Sequence, residues 1–419
     1  MFVFRWLYSL LFALLLPMIV LRLVWRSSKN PAYRHRIGER LGFVPAQSKP
    51  AIWVHSVSVG ETIAVAPLVR ELQKRHPGHV VVMTTTTPTG SVQVKRLLGD
   101  TVLHYYFPYD LASFISRFVN RLSVRVCVIV ETEIWPNLLC TLHRRQIPVF
   151  LANARLSVRS EKGYAKCRAV MLHLLNRYQK IIARGESDYR AFLRLGVATS
   201  RLCVGGNIKY DLEYSAEDRL MGKDFRSRLG ARLVWIAAST HEGEEAILLQ
   251  AHRALVKRFP SLLLLLVPRH ADRCDSVSTL IRRAGLSFCR RSQHSDVGGD
   301  QVYLVDSIGE LRAFYVASDI VFMGGSLVSV GGHNFLEPAL LAKPLLSGPC
   351  MVNFVEVSEQ LQGVGGLMVV SNAIELENKI SQLLSDSALR QQLGERAYSI
   401  IEQNKGAIAR HGELISVNP

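Results

Sequence analysis

The stretch A-I-W-V-H-S-V-S-V-G-E-T-I-A-V-A-P-L-V-R-E-L, residues 51–72, decides the fold. Its beginning, residues 51–58, is a short apolar run with β-branched residues, and residues 62–72 form an apolar run of helical length. A buried strand, a turn containing Gly60 and a helix together make the first half of a βαβ unit. The stretch therefore predicts an α/β protein built on parallel strands.

The same alternation of strand and helix recurs in two series along the 419 residues. The first series of predicted strands covers residues 51–58, 80–86, 102–107, 125–132, 148–154, 180–183 and 202–206. The second series covers 233–239, 262–267, 302–305, 320–324, 344–347 and 367–370. Two doubly wound domains of this kind bind ligands at the carboxyl ends of their strands, so we predict two Rossmann-like domains that face a cleft.

Domain boundaries follow from the polar stretches between these series. We predict a membrane anchor at residues 1–25, a first Rossmann-like domain at 26–215, a second Rossmann-like domain at 231–395 and a C-terminal helix at 396–419 that packs on the first domain. Residues 216–230 show little apolar periodicity, and they are therefore predicted to be an interdomain linker.

The amino terminus carries an uncharged apolar run from Trp6 to Leu21. As a helix it would cover about 24 Å, somewhat less than the hydrocarbon core of about 30 Å, so both spanning and in-plane insertion remain open. Basic residues follow the run, whereas only Arg5 precedes it, and this asymmetry predicts a cytoplasmic protein body. The basic residues after the run are Arg22, Arg26, Lys29, Arg34, Arg36 and Arg40. They serve either as a topology signal or as contacts to an anionic substrate.

Charge and cysteine usage narrow the class of protein. The formal net charge of +17 favours polyanionic partners such as anionic lipids, a phosphorylated substrate or nucleic acid. The seven cysteines are scattered without C-x-x-C spacing, which indicates neither a disulfide framework nor a zinc site. His241, His270 and His333 also lack metal-ligand spacing, so we predict no metal and no cofactor.

Candidate catalytic residues lie where the first-domain strands end. Glu61 falls in the first turn of a helix, where it can accept a proton from a substrate hydroxyl or merely complement the helix dipole. The strand at 125–132 ends in E-T-E-I-W-P-N, which places Glu131 and Glu133 at the same sheet edge. Lys209, in G-N-I-K-Y-D, is positioned to neutralise charge on a phosphate leaving group.

Loops of the second domain offer hydroxyls, glycines, Arg269 and helix starts near Gly309 and Asn334, which are the parts needed to hold a nucleotide phosphate. Glu337 is a candidate acceptor for a ribose hydroxyl. These loops are A-S-T-H-E-G-E-E (238–245), V-P-R-H (267–270), D-S-I-G-E-L (306–311) and G-G-S-L-V-S-V-G-G-H-N-F-L-E-P (324–338).

Taken in order, these motifs resemble the 3-deoxy-D-manno-octulosonic acid (Kdo) transferase family of lipopolysaccharide biosynthesis. The segment N-P-A-Y-R-H-R-I-G-E-R-L-G, residues 30–42, resembles the sequence that follows the anchor in that family. The resemblance implies a GT-B fold and an inverting, metal-independent enzyme that moves Kdo from CMP-Kdo to a lipid A precursor. It implies that the domain at 26–215 binds the acceptor and that the domain at 231–395 binds the CMP-sugar. It also implies a location at the cytoplasmic face of the inner membrane of a Gram-negative bacterium, and no nucleic-acid partner.

The resemblance assigns roles residue by residue. Glu61 is implied as the general base on the acceptor hydroxyl, with Glu131 and Lys209 assisting the transition state. CMP is implied to contact Pro268, Arg269, Ile308, Gly309, Glu310, Asn334, Phe335, Leu336 and Glu337. Three positions depart from the family pattern: Phe335 replaces a frequent proline, Cys350 replaces a frequent histidine, and Arg184-Gly185-Glu186 differs from the usual A-Q-x-E.

Two other functions remain open from the residues. One is a membrane-associated GT-B transferase that uses a UDP-sugar. The other is a non-catalytic protein that binds anionic lipid or nucleotide through its basic surface. The carboxylates Glu61, Glu131 and Glu133 argue against the second, because they would repel a polyanion.

Overall fold

The computed structural model describes residues 2–28, 31–293 and 296–417. Lys29 of the basic run and Asn30 of the post-anchor motif lie outside the described residues, as do the last two residues of the predicted C-terminal segment. The chain forms two compact units. Unit 1 comprises the residues up to Asp211 and those from Lys405 onward, and unit 2 comprises Leu212–Asn404.

Unit 1 contains a parallel sheet of seven strands in the order β3-β2-β1-β4-β5-β6-β7. The strands are β1 (Ala51–His55), β2 (Val80–Thr85), β3 (Leu103–Tyr106), β4 (Val124–Val130), β5 (Val149–Ala154), β6 (Lys180–Ala183) and β7 (Leu202–Val204). All five residues of β1 are buried, which explains why this strand has a continuous apolar sequence rather than an alternating one. The strand order reverses between β1 and β4, and this is the topological switch point of unit 1.

Helices cover both faces of this sheet. They are α1 (Phe2–Ser27), α2 (Ile37–Arg40), α3 (Val59–Arg75), α4 (Pro88–Leu98), α5 (Ala112–Leu122), α6 (Pro136–Arg144), α7 (Val158–Lys166), α8 (Arg168–Leu175) and α9 (Glu186–Leu195). Two separate apolar cores lie in unit 1, one containing Trp53 and Phe118 and the other containing Val54 and Leu68. Because Trp53 and Val54 are neighbours on β1, these cores lie on opposite faces of the sheet.

Helix α1 is long and apolar enough to cross a membrane, judged by its length and composition. The polar residues near its start nevertheless contact unit 1: Arg5 Nε donates to Asn137 Oδ1 at 2.9 Å, and Asn137 Nδ2 donates to Ser9 Oγ at 3.0 Å. Asn137 is fully buried at the beginning of α6. Most of the remaining described surface of α1 up to Leu21 is apolar and exposed. The exposed apolar residues of the helix include Trp6, Leu10, Leu14, Met18, Leu21 and Trp25.

Unit 2 repeats the architecture with a second parallel sheet in the order β10-β11-β9-β8-β12-β13-β14. Its strands are β8 (Val234–Thr240), β9 (Leu263–Pro268), β10 (Phe288–Arg290), β11 (Val302–Leu304), β12 (Ile320–Met323), β13 (Leu345–Ser347) and β14 (Leu367–Val369). Its helices are α10 (Ala216–Arg228), α11 (Glu244–Arg258), α12 (Cys274–Arg283), α13 (Leu311–Ala317), α14 (Leu336–Ala339), α15 (Val355–Gly363), α16 (Ala373–Ser385) and α17 (Ser387–Asn404). Its switch point lies between β8 and β12. The predicted α/β class with two doubly wound units is confirmed.

The segment at 216–230, expected to be a linker, is instead helix α10 and belongs to unit 2. Its buried residues are Gly222 and Phe225, and Phe225 packs edge-on against Phe314 of α13. A side chain at position 222 would come within 2.5 Å of the Ala313 carbonyl oxygen. Gly222 therefore permits the close approach of α10 to α13. In the sequence alone, a glycine in a polar segment favours a linker over a helix.

The chain ends in helix α18 (Ala407–Leu414), which belongs to unit 1, whereas α17 belongs to unit 2. Ala407 and Ile415 are buried in the core that also contains Val54 and Leu68. His411 is fully buried, and its Nε2 accepts a hydrogen bond from the Asn153 N–H at 3.0 Å. The return to the first unit therefore begins at about residue 405, later than the predicted residue 396.

Candidate active site

The carboxylates predicted in unit 1 meet at its switch point. Because β1 pairs directly with β4, the loop after β1 and the loop after β4 lie side by side at the carboxyl edge of the sheet. Glu61 follows the first loop, and Glu131 and Glu133 lie in the second. Their charges influence one another, since Glu131 raises the pKa of Glu61, and Glu61 in turn raises that of Glu133.

Glu61 occupies the first turn of α3, and its carboxylate closes a capping box with Ser58. Ser58 Oγ accepts from the Glu61 N–H at 3.2 Å and donates to Glu61 Oε1 at 2.9 Å, while the Val57 N–H donates to Oε2 at 2.7 Å. Burial is the largest influence on this group and raises its pKa, outweighing the hydrogen bonds that lower it. Glu61 thus caps its helix and remains a stronger base than an exposed glutamate.

Lys209 and Glu131 form an ion pair, with 2.7 Å between Lys209 Nζ and Glu131 Oε1. Glu131 has a φ of 61°, a left-handed conformation that is uncommon for a residue with a side chain and is enriched at functional sites. Lys209 is held by a short 3₁₀ turn, capped by Asn207, whose Oδ1 accepts from the Lys209 N–H. Both residues were predicted at this edge of the sheet, but their ion pair was not.

The pKa of Glu133 is raised more strongly than that of Glu61. Burial, followed by the charge of Glu61, raises its pKa to about 7. Its backbone carbonyl accepts a hydrogen bond from the hydroxyl of the buried Tyr178 at 2.7 Å, which fixes the loop after β4. Near neutral pH, Glu133 can therefore exchange a proton.

Two arginines of the basic post-anchor segment are built into unit 1. Arg40 is buried, its guanidinium lies 4.2 Å from the centre of the Tyr106 ring, and its Nη2 donates to the Thr86 carbonyl at 2.9 Å. Thr86 Oγ1 donates in turn to the Val57 carbonyl at 3.0 Å. Arg36 also stacks on Tyr106 and pairs with Glu39 at 2.7 Å. Through Thr86, Arg40 supports the loop that precedes Glu61. This structural role is neither of the two predicted from the sequence, a topology signal or a substrate contact.

Five of the predicted nucleotide contacts lie at the end of β9 or in the loop after β11. Pro268 ends β9 and is buried, whereas Arg269 beside it is exposed. Ile308 is 87% exposed, and Gly309 has a φ of 94°. Glu310 forms two hydrogen bonds with Arg291, at 2.9 and 3.2 Å, and this partner holds the pKa of Glu310 below its usual value. The sequence missed Arg291, because it lies just beyond the three-residue strand β10, which was not predicted.

The remaining predicted contacts surround α14. Asn334 Oδ1 accepts from the Leu336 N–H at 3.1 Å, which stabilises the start of that short helix. Phe335, which replaces a frequent proline of the family, is fully buried and packs edge-on against Phe354. Its side chain is therefore part of the interior of unit 2. Leu336 is also buried. Glu337 lies 3.7 Å from Arg312 Nε, and burial raises its pKa.

The other departures have structural contacts of their own. The Cys350 N–H donates to the Ser326 carbonyl at 3.0 Å, and its side chain is half-buried. Arg184 pairs with Asp188 at 2.7 Å on one turn of α9. Across residues 2–28, 31–293 and 296–417, no group of three or more His, Cys, Asp or Glu residues has a geometry suited to a metal ion.

Sequence reasoning also missed a histidine pair at the switch point of unit 2. His241 follows β8 and His333 lies in the loop after β12, and their Nε2 atoms are 2.9 Å apart. They are 92 residues apart in the chain. Only the pairing of β8 with β12 could have revealed that they meet.

Comparison with solved structures bears on the fold. UDP-GlcNAc 2-epimerase from Neisseria meningitidis matches 87% of this chain and 99% of its own, with a TM-score of 0.60 at 18% identity. A glycosyltransferase from Rickettsia africae matches 88% of this chain and 97% of its own, with a TM-score of 0.56 at 14% identity. These likenesses concern the fold alone, and together with the two parallel sheets they confirm the GT-B architecture.

Sequence comparison then identifies the family. The model of the 3-deoxy-D-manno-octulosonic-acid transferase (kdotransferase) family matches residues 35–212. The 3-deoxy-D-manno-octulosonic acid transferase of Haemophilus influenzae is 42% identical over 419 residues, which cover 98% of each chain. That of Bordetella pertussis is 32% identical and covers 97% of each chain. The chain belongs to the Kdo transferase family and is a glycosyltransferase.

Proposed function

We propose that the chain transfers Kdo from CMP-Kdo to a hydroxyl of a lipid A precursor, with inversion at the anomeric carbon and without a metal ion. Family membership supports the sugar and the reaction type. The observation that carries the mechanism is the placement of Glu61 beside the Glu131–Lys209 ion pair at the switch point of unit 1. Open α/β sheets bind their ligands at such a point.

Glu61 acts as the general base. Burial raises the pKa of its carboxyl, so the ionised group is a stronger base than an exposed glutamate. As Glu61 removes the proton, the acceptor oxygen bonds to the anomeric carbon, the bond to the CMP phosphate breaks, and CMP leaves with the electron pair. Attack opposite the leaving group inverts that carbon.

The Glu131–Lys209 pair assists as a unit. Glu131 lies close enough to Glu61 to raise its pKa, whereas Lys209 lowers it. A carboxylate near the reacting carbon also favours the positive charge that develops on the sugar ring. Pairing fixes Lys209 in place, and removal of either partner would leave an uncompensated charge beside the base.

Unit 2 binds the donor. Arg269 provides an exposed cation next to the end of β9, and Gly309 allows close approach of the backbone to a phosphate. Glu337 and Asn334 lie together at the start of α14, with Glu337 available to accept from a ribose hydroxyl. Pro268, Ile308, Glu310, Phe335 and Leu336 shape the same loops.

Helix α1 anchors the protein at the cytoplasmic face of the inner membrane. Its exposed apolar surface suits lipid chains, and the basic residues that follow it suit a cytoplasmic body and a phosphorylated lipid acceptor. Contact between residues 5–9 and the buried Asn137 keeps the start of α1 against unit 1. These contacts support insertion in the membrane plane over a free transmembrane span.

Mass spectrometry of the product tests the function. Purified protein with CMP-Kdo and a lipid A precursor is expected to add the mass of Kdo, also in excess EDTA. No addition with CMP-Kdo, together with addition from a UDP-sugar, would identify the rival transferase. Binding of lipid and nucleotide with no product from either donor would identify the non-catalytic protein. Loss of activity in EDTA that is restored by magnesium would refute the metal-free mechanism.

A further inference from the structure

The histidine pair of unit 2 lies where its strand order reverses. His241 is the first residue after β8, and His333 lies in the loop that follows the neighbouring strand β12. The rings are nearly parallel, at 8°, with their centroids 5.2 Å apart and their Nε2 atoms 2.9 Å apart. A third histidine, His270, packs edge-on against His241 at 5.9 Å. Both members of the pair are only partly buried, so a ligand can reach them.

The surrounding loops hold this pair in a fixed geometry. The carboxylate of the fully buried Glu244 accepts hydrogen bonds from the His241 N–H and from the backbone N–H groups of residues 325, 326 and 327. These bonds tie the loop after β8 to the loop after β12. Gly325 has a φ of 69°, and a side chain there would lie 3.1 Å from two ring atoms of His333. The loops are thus shaped around the two rings.

Burial and the surrounding charges keep both rings of the pair unprotonated in the free protein. Burial is the largest cause that lowers the pKa of both histidines; together with the charges of His241, Arg269 and His270, it lowers the pKa of His333 to about 4. The charges of Glu244 and Glu245 raise the pKa of His241, but less than burial lowers it. Glu244 accepts hydrogen bonds from backbone N–H groups, and Glu245 pairs with Arg273 at 2.6 Å. The pair is therefore neutral at pH 7 in the free protein.

Only one additional proton fits on this pair. In the neutral state one Nε2–H donates to the other Nε2, and protonation of both rings would place two N–H groups against each other at 2.9 Å. A bound anion would favour the singly charged pair, because a nearby opposite charge raises the pKa of a histidine. One positive charge with a fixed orientation is suited to a monoanionic carboxylate.

We propose that the His241–His333 pair takes up one proton and binds the carboxylate of the donor sugar. This inference rests on the proposed function, because Kdo is a sugar acid whose carboxylate is attached to the anomeric carbon. Neutral sugars of UDP donors have no such group. The pair would therefore select a sugar-acid donor, and it would do so separately from the residues that hold the nucleotide.

Calorimetric titration with CMP-Kdo and with CMP tests this assignment. The wild type is expected to take up a proton on binding CMP-Kdo, whose phosphodiester and carboxylate do not titrate near pH 7, measured from the heat in two buffers of different ionisation enthalpy. Its affinity for CMP-Kdo should increase from pH 8 to pH 6. His333→Gln and His241→Gln should each weaken CMP-Kdo binding about tenfold or more and leave CMP binding unchanged. His143→Gln, an exposed histidine of α6, serves as the matched control.

The other outcomes overturn the assignment. If the glutamine variants lose CMP affinity and CMP-Kdo affinity equally, the pair binds the phosphate and not the carboxylate. If both affinities are unchanged, the pair does not contact the donor. Absence of proton uptake with CMP-Kdo would refute the assignment without any variant, so a misfolded variant would not leave the question open. A wild type that binds CMP but not CMP-Kdo would instead refute the proposed donor, and the carboxylate contact would fall with it.

Discussion

In the proposed mechanism Glu61 combines two functions in one side chain, since it caps α3 and accepts the proton of the acceptor hydroxyl. Replacement by glutamine keeps the size and the hydrogen bond from Val57 but removes the basic group. For Glu61→Gln we expect turnover to fall by about 10²-fold or more, with CMP affinity unchanged. Steady-state kinetics with CMP titration measures both quantities.

Glu71→Gln is the control for this substitution, because Glu71 lies on the same helix and pairs with Arg75. It should keep wild-type turnover. A Glu61→Gln enzyme with near-normal turnover would show that the carboxylate is structural only.

Glu133 predicts a pH dependence of stability. Its folded-state pKa is about 7, above the ordinary 4.5, so the folded protein holds this proton more tightly than the unfolded chain. The stabilisation from protonated Glu133 is present below pH 4.5 and is lost as the pH rises to about 7. Glu133→Gln removes the cost of the buried charge, and we expect a higher melting temperature than the wild type at pH 8 but not at pH 4. Equal differences at both values would contradict the shifted pKa.

Among the residues that the structure describes, none from α1 belongs to the apolar core around Trp53 or to the one around Val54, so we expect both cores to form without the first 21 residues. Deletion of residues 1–21 is expected to leave a folded enzyme that turns over detergent-dispersed acceptor but binds anionic liposomes less tightly. Liposome flotation and circular dichroism measure the two effects. Ser9→Ala, which loses only the contact to Asn137, should still float with liposomes. An unfolded truncated chain would make α1 part of the globular core.

At the level of helices and strands, the sequence was informative where local chemistry decides the structure. The strand β6 was predicted with its observed bounds, because an apolar strand with a polar residue on each side leaves little choice. Helix α10 was not predicted, since its buried face consists of Gly222 and Phe225 and so lacks the usual apolar stripe. Strand β10 was missed because three residues, one of them arginine, carry too little pattern.

The candidate site shows the same division. Glu61, Glu131 and Lys209 could be placed at one sheet edge because each follows a recognisable strand. The ion pair between Glu131 and Lys209, and the contact between His241 and His333, depend on which strands are neighbours in the sheet. That order results from packing of the whole unit, and no local motif contains it.

At the level of the whole molecule, unit 2 is one continuous segment with its own core. We expect residues 212–404, expressed alone, to unfold cooperatively and to bind CMP, because all the proposed nucleotide contacts lie within this segment. Thermal denaturation with and without CMP provides the measurement. A segment without cooperative unfolding would show that unit 2 depends on unit 1.

Unit 1 provides the contrasting case, because residues 1–211 alone lack α18. We expect this fragment to be less stable than the same fragment joined to residues 405–417, which restore Ala407 and Ile415 to the core.

The return of α18 to unit 1 also sets the order in which the protein can mature on the ribosome. Synthesis proceeds from the amino terminus, and domains generally fold as units in that order. Here the first unit lacks part of its core until residue 415 has been translated, whereas unit 2 is complete once residue 404 has emerged. The second unit can therefore finish folding before the first, and a chain whose synthesis stops between these two residues would contain a finished second unit beside an unfinished first one.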